Sequence, residues 1–209
     1  MTCRSRSTAL KTMTALALFA FSTAWVSESN ATVKGVGTVR VGAAFPSISF
    51  PELGNFDINS GVDVGLTLGA QFGDYFRLDA VDFSYLGAST LSGGIKTDDL
   101  VLIIGTGVRI GLFKATMPLH PYLSVGVGGA YGRETVDGLD EAAGWGFEWS
   151  VGTGLEYQVA RNFGIGLRYR YRSSTINYLT YTGGFPPYFY VSPTVSAHTL
   201  GVELSFMGP

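Results

Sequence analysis

From Trp145 to Arg172 the chain reads WGFEWSVGTGLEYQVARNFGIGLRYRYR, two strictly alternating runs separated by Ala160-Arg161-Asn162. In the first, Trp145, Phe147, Trp149, Val151, Thr153, Leu155 and Tyr157 share one face. Gly146, Glu148, Ser150, Gly152, Gly154, Glu156 and Gln158 share the other. In the second, Ile165, Leu167, Tyr169 and Tyr171 oppose Gly164, Gly166, Arg168, Arg170 and Arg172. Side chains alternate sides on an extended chain but return about every 3.6 residues on a helix, so this period selects β-strands. Two strands across so short a break form a hairpin. Polar residues fall on even numbers in both runs, so pairing like faces requires an odd loop. A three-residue loop with Asn162 in the left-handed region satisfies that parity. The register then sets Glu156 opposite Arg168 or one step away, and predicts cross-strand ion pairs on the polar face.

The same alternation recurs at 36–45, 62–72, 76–86, 100–112, 123–132 and 198–206, so eight strands are expected. In the run 76–86 the frame slips near Val81. A bulge there returns Phe83 and Tyr85 to the apolar face and Asp82 and Ser84 to the polar one. Short connections (Gly73-Asp74-Tyr75, 114–121 and 160–162) alternate with longer segments read as loops (46–60, 87–99, 133–144 and 173–196). Long loops at one end and short turns at the other are the pattern of an outer-membrane barrel, with the long loops outside.

Which face meets water decides between two barrels. Aromatics gather at the strand ends of the apolar face. Phe72, Phe76, Tyr157, Phe163 and Phe206 lie near the short turns, and Phe45, Tyr85, Tyr131, Trp145, Phe147 and Tyr171 near the long loops. Two such girdles match the two interfaces of a bilayer. A soluble eight-stranded barrel of the lipocalin kind would turn the apolar face inward and need many solvated charges outside. Only 14% of this chain is charged, and the polar face is mostly Gly, Ser and Thr. Its few charges balance: Arg40, Arg109, Arg168, Arg170 and Arg172 against Asp63, Asp79, Glu148, Glu156 and Glu203. Charges enclosed in a narrow lumen must pair, so these residues are the expected internal ion-pair network. The fold class is therefore all-β, an eight-stranded antiparallel up-and-down transmembrane β-barrel.

The N-terminus reads as a secretory signal, 1–31. Arg4, Arg6 and Lys11 precede an apolar stretch 13–26, and Ser29-Asn30-Ala31 fits the small-x-small cleavage rule. About 14 apolar residues are too few to span a bilayer as a helix. Cys3, the single cysteine, leaves with the signal, and with it any disulfide or thiol chemistry. Residues 32–209 are read as one barrel domain. Removing three of 14 basic residues and one of 16 acids leaves a net charge of −4. No basic cluster lies outside the Arg168-Arg170-Arg172 face, so nucleic acid is not an expected partner.

The run PYLSVGVGGAYG after a proline turn, the turn GDYFRLD and the C-terminal HTLGVELSF resemble the small outer-membrane barrels of the OmpA-type and opacity-like group, across 36–206. That resemblance implies outer-membrane lipid as the surroundings and a final strand whose terminal aromatic, Phe206 here, is read by the barrel-assembly machinery. It also raises two barrel enzymes, the lipid A deacylase and the lipid A palmitoyltransferase, which need His, Ser and an acid arranged for acyl transfer. His120 falls in a short turn at the wrong end. His198 faces outward and precedes Thr199, with no His-x-Ser pattern. No Cys/His cluster suits zinc, and Asp99, Asp137 and Asp140 do not form a calcium loop. The expectation is a monomeric barrel with no catalysis, cofactor or metal, acting structurally or in recognition through its outer loops. A narrow pore past the arginine ladder and a lipid A-modifying enzyme are the alternatives. The aromatic-rich segment 178–191 is either a contact surface or the upper part of a long hairpin.

Overall fold

The computed structural model describes residues 33–50, 54–57, 59–73, 75–92, 95–112, 118–136, 142–180 and 189–208; the expected signal, 1–31, lies outside them. Ten strand segments are present among these residues: β1 (Val33–Phe50), β2 (Gly54–Asp57), β3 (Gly61–Phe72), β4 (Phe76–Ser92), β5 (Ile95–Gly111), β6 (Leu119–Val136), β7 (Ala142–Ala160), β8 (Phe163–Thr180), β9 (Phe189–Val191) and β10 (Thr194–Met207). Eight form the wall. Neighbours pair antiparallel in chain order, and β10 pairs with both β1 and β8, which closes the barrel. The short β2 and β9 extend β1 and β8 at the outer end.

Closure sorts the two faces as the alternation requires. Trp145, Val41 and Leu167 are 69%, 60% and 59% exposed on the outer wall, whereas Arg172 and Glu203 are 1% and 0% exposed inside. An apolar outside around a polar inside is stable only in lipid, which settles the choice against the lipocalin-like arrangement. Aromatic pairs stand at both rims. Phe72–Phe76 and Phe163–Phe206 pack in tilted pairs near the short turns, with centroids 5.9 and 5.2 Å apart. Toward the other end Tyr131–Trp145 is tilted and Trp149–Tyr171 meets edge to face, at 4.9 and 5.5 Å.

The bulge near Val81 is present. Leu68 pairs with Val81 but Gly69 with Asp79, and β4 slips against β5 between Asp79 and Asp82, leaving Ala80 as the extra residue. At the β3–β4 turn Gly73 takes φ +61°, a conformation that a side chain would strain.

Three expectations need correction. The β7–β8 connection is a two-residue turn, Arg161-Asn162, and Asn162 is not left-handed. A bulge between Gln158 and Ala160 supplies the odd residue, so the parity is met inside strand β7. His120 does not lie in a turn but on β6, paired in register with Glu156. The segments read as long loops are largely ladder. β4 and β5 pair to Ser92–Ile95, β5 and β6 to Thr97–Val136, and β8 runs to Thr180. Beyond the membrane both faces of a hairpin meet water, so alternation fades while backbone pairing continues. The middle of the aromatic-rich segment, 181–188, lies outside the described residues.

Leu167 lies midway along β8 between the rim rings Phe163 and Tyr171, and Leu155 pairs with it. Leu155→Arg is expected to cost about 2–4 kcal/mol, against about 0–1 for Tyr157→Arg at the rim. Urea titration of the barrel in lipid vesicles measures both; equal costs at the two depths would contradict the placement.

Candidate functional site

The lumen holds twelve buried or half-buried charges among the described residues. Arg40, Arg77, Arg109, Arg168, Arg170 and Arg172 face Asp63, Asp79, Asp82, Glu148, Glu156 and Glu203. Each is carried by an inward position, and glycines make the room. A Cβ at Gly65 would lie 2.3 Å from the Arg40 guanidinium, and one at Gly154 would lie 2.3 Å from the Tyr122 ring. Small residues opposite large ones let one layer fill so narrow a lumen.

The charges form two clusters. In the first, Arg109 donates from Nε to Asp79 Oδ2 (2.9 Å) and from Nη1 to Glu203 Oε1 (2.8 Å). Its guanidinium stacks 4.9 Å from the Tyr122 ring centroid, and Tyr122 donates its hydroxyl to the same Glu203 oxygen at 2.6 Å. Arg77 completes this cluster, donating to Asp79 Oδ1 (2.8 Å) and Thr38 Oγ1 (2.6 Å). In the second, Asp82 is shared by Arg40 (2.8 Å) and Arg170 (2.7 Å). Arg40 also donates to Thr67 and Ser84 and lies 3.6 Å from Asp63, while Arg172 donates to Ser84 Oγ at 2.9 Å. Arg168 joins the clusters loosely, 3.8 Å from Glu203 Oε2.

Of the residues expected in the network, Arg40, Asp63, Arg109, Arg168, Arg170 and Glu203 thus meet an opposite charge. Glu156 stands one step from Arg168, as the register expectation allowed, but forms no ion pair with it. It pairs in register with Gly166 and accepts a 2.5 Å hydrogen bond from Ser205, because barrel closure brings β10 nearer than the diagonal neighbour on β8. Glu148 hydrogen-bonds Ser150. Arg77 was missed, because it stands beside the β3–β4 turn and reads there as a turn residue; Asp82, expected on the polar face through the bulge, was left out of the charge balance. Strict parity counted from Asp79 would have recovered Arg77.

Above the charges lies an apolar layer, also inward-facing: Ala44, Ile48, Leu86, Val101, Ile103, Ala130, Ala142, Ile176, Val195 and Ala197. At the opposite mouth a cavity of about 110 Å³ is lined by Lys34, Arg77, Arg109, His120, Tyr122 and Glu156 among others. His198 Nδ1 lies 2.7 Å from the Tyr169 hydroxyl and its ring packs on Tyr169 and Tyr171, outside the barrel. No cluster of His, Cys, Asp or Glu among the described residues could hold a metal.

Residues 13–206 match the family model of the outer membrane protein beta-barrel domain, and the chain belongs to that family. It is an integral protein of the outer membrane. Among solved structures, Neisserial surface protein A (NspA) aligns at 22% identity and TM-score 0.56, over 81% of this chain and 96% of that one. Ail, the attachment invasion locus protein of Yersinia pestis, aligns at 14% and 0.46, over 82% and 99%. The N-terminal β-barrel domain of Pseudomonas aeruginosa OprF aligns at 13% and 0.44, over 81% and 99%. Comparison with curated proteins returns no match. The NspA likeness shows the fold.

Glu203→Leu leaves Arg109 with only Asp79, which Arg77 shares, and is expected to cost about 3–5 kcal/mol, whereas Arg109→Met combined with Glu203→Leu should cost far less than those two single changes summed. A double-mutant cycle by urea unfolding reads the coupling; strict additivity would refute it. Outside the membrane, on the β5–β6 hairpin, Asp99 pairs in register with Glu134. Burial, then the Glu134 and Asp98 carboxylates, push Asp99 up to about 6 from an ordinary 3.8. A carboxyl with a raised folded pKa stabilises when protonated, so its contribution is complete below the unfolded value and lost as pH rises through the folded one. The thermal midpoint should therefore fall between about pH 4 and 6.5, and fall less in Asp99→Asn; an unchanged pH dependence in that variant would count against this.

Proposed function

We propose that the protein is a closed, non-conducting outer-membrane barrel, not an enzyme, whose role is structural or one of recognition through its outer hairpins. One observation carries this reading: Arg109, Glu203, Asp79, Arg40, Asp82 and Arg170 cross the lumen in direct contact and are buried there, with an apolar layer above them. Opening a path would require breaking buried ion pairs, which costs several kcal/mol for each uncompensated charge. The hairpins that continue past the outer aromatic rim offer backbone-supported surface for a partner. Every strand of the wall is paired within the chain, which supports a monomer. The final strand, β10, presents Phe206 half exposed on the lipid side, packed against Phe163, as the element the assembly machinery would read.

Planar-bilayer recording tests the reading. The purified barrel is expected to show no discrete openings. Reproducible unitary steps whose size changes in Arg109→Ala would establish the narrow pore instead.

A further inference from the structure

Beyond the outer aromatic rim the wall divides. Below that point β3 pairs with β1 on one side and with β4 on the other. The last rungs are Ala44–Gly61 and Val62–Gly87, and the approach there is close: a Cβ at Gly61 would lie 2.1 Å from the Gly87 carbonyl oxygen. Above them β2 carries the β3 lane onward along β1, from Ser47–Asp57 to Phe50–Gly54, but β4 does not follow it. β4 continues through residues 88–92, paired among the described residues with β5 alone. One side of that segment is therefore an open row of backbone N–H and C=O groups. A cleft of about 500 Å³ lies beside it, lined by Ser60, Gly61, Gly87, Ala88 and Ser89 among others.

Sequence and charge say what this edge suits. Free edges template pairing with other chains, and proteins normally blunt them with a proline, a lysine, a bulge or extreme shortness. Residues 88–92, Ala-Ser-Thr-Leu-Ser, carry no proline and no charge, and their pairing with β5 is regular to Ser92–Ile95. The outer segments 46–60, 87–99, 133–144 and 173–196 hold eight acidic residues and two basic ones, Lys96 and Arg133, a net charge of −6. Two of the acids, Asp98 and Asp99, pair in register with Ser89 and Ala88 of the edge strand itself. A second copy of this chain would bring the same acids to the same edge, where like charges repel. A cationic strand is attracted instead.

We infer that the open edge of β4 docks an extended, lysine- or arginine-rich segment of a partner protein by strand addition, antiparallel to β4 as β3 is below it. Main-chain hydrogen bonds supply the affinity, and the acidic surroundings select a cationic sequence. This inference rests on the reading of the outer hairpins as a recognition surface.

The test uses the full barrel in non-ionic detergent and, as probe, a peptide of about ten residues alternating lysine and threonine. Fluorescence anisotropy should show saturable binding, about tenfold or more tighter than for two controls. One is the matching glutamate–threonine peptide; the other is a peptoid with the lysine peptide's side chains, whose backbone has no N–H donors. Amide hydrogen exchange of the barrel should slow at residues 88–92 when the lysine peptide is added. Asp98→Lys should weaken binding by a similar factor, and the wild-type comparisons do not depend on that variant folding. Equal binding of the peptoid would reduce the contact to charge alone and overturn the inference, as would no binding of the lysine peptide. Slowed exchange at 133–136 and not at 88–92 would overturn this edge while leaving the outer hairpins as the recognition surface. None of these measurements involves conductance, so failure here is separable from failure of the closed-barrel reading.

Discussion

A backbone in hydrocarbon must find every hydrogen bond within the protein, because no water is present to take the remainder. That requirement shapes this chain more than any side-chain contact. It obliges β10 to pair with β1, across nearly the whole sequence, before any part of the wall is complete. It also makes the two bulges matter: each inserts one residue without opening the ladder for more than a step. Sheet closure then decides what is inside, and what is inside decides which charges can exist.

Enclosed charges are stable here because closure brings together residues far apart in sequence. Arg109 and Glu203 are 94 positions apart, and Arg40 and Asp82 are 42 apart. No local segment of the chain contains either pair. Among the described residues, only Asp79 with Arg77 and Arg109 falls within one hairpin, β4–β5; the rest of the lumen network is a product of the closed barrel. Between the outer apolar layer and the lower mouth, the charged layer fixes side chains by direction as well as by volume, since each guanidinium has few places where its donors are met.

The outer face is legible in the sequence because lipid tolerates no exception over the spanning part of a strand. From Trp145 to Tyr157 the alternation gives strand, facing and rim together. The inner face is less legible. Val101 and Ile103 share an inward frame with Arg109, so apolar and charged inward residues lie on one strand, with nothing in the pattern to separate the layers. Asp82 needs the bulge to be placed, and Glu156 needs closure, since its partner Ser205 comes from the last strand. The outer hairpins are hidden for another reason: with water on both sides, pairing no longer leaves a hydrophobic trace.

The continuation of those hairpins beyond the membrane has a consequence for whatever meets the cell surface. Residues 97–99 and 133–136 belong to a ladder rooted in the barrel wall, so their backbone is already ordered before any contact is made. Much of the entropy that a loose loop would lose on association has been spent in folding. A partner of this rim would recognise a shape, and a linear peptide of the same residues would be a poor substitute for it.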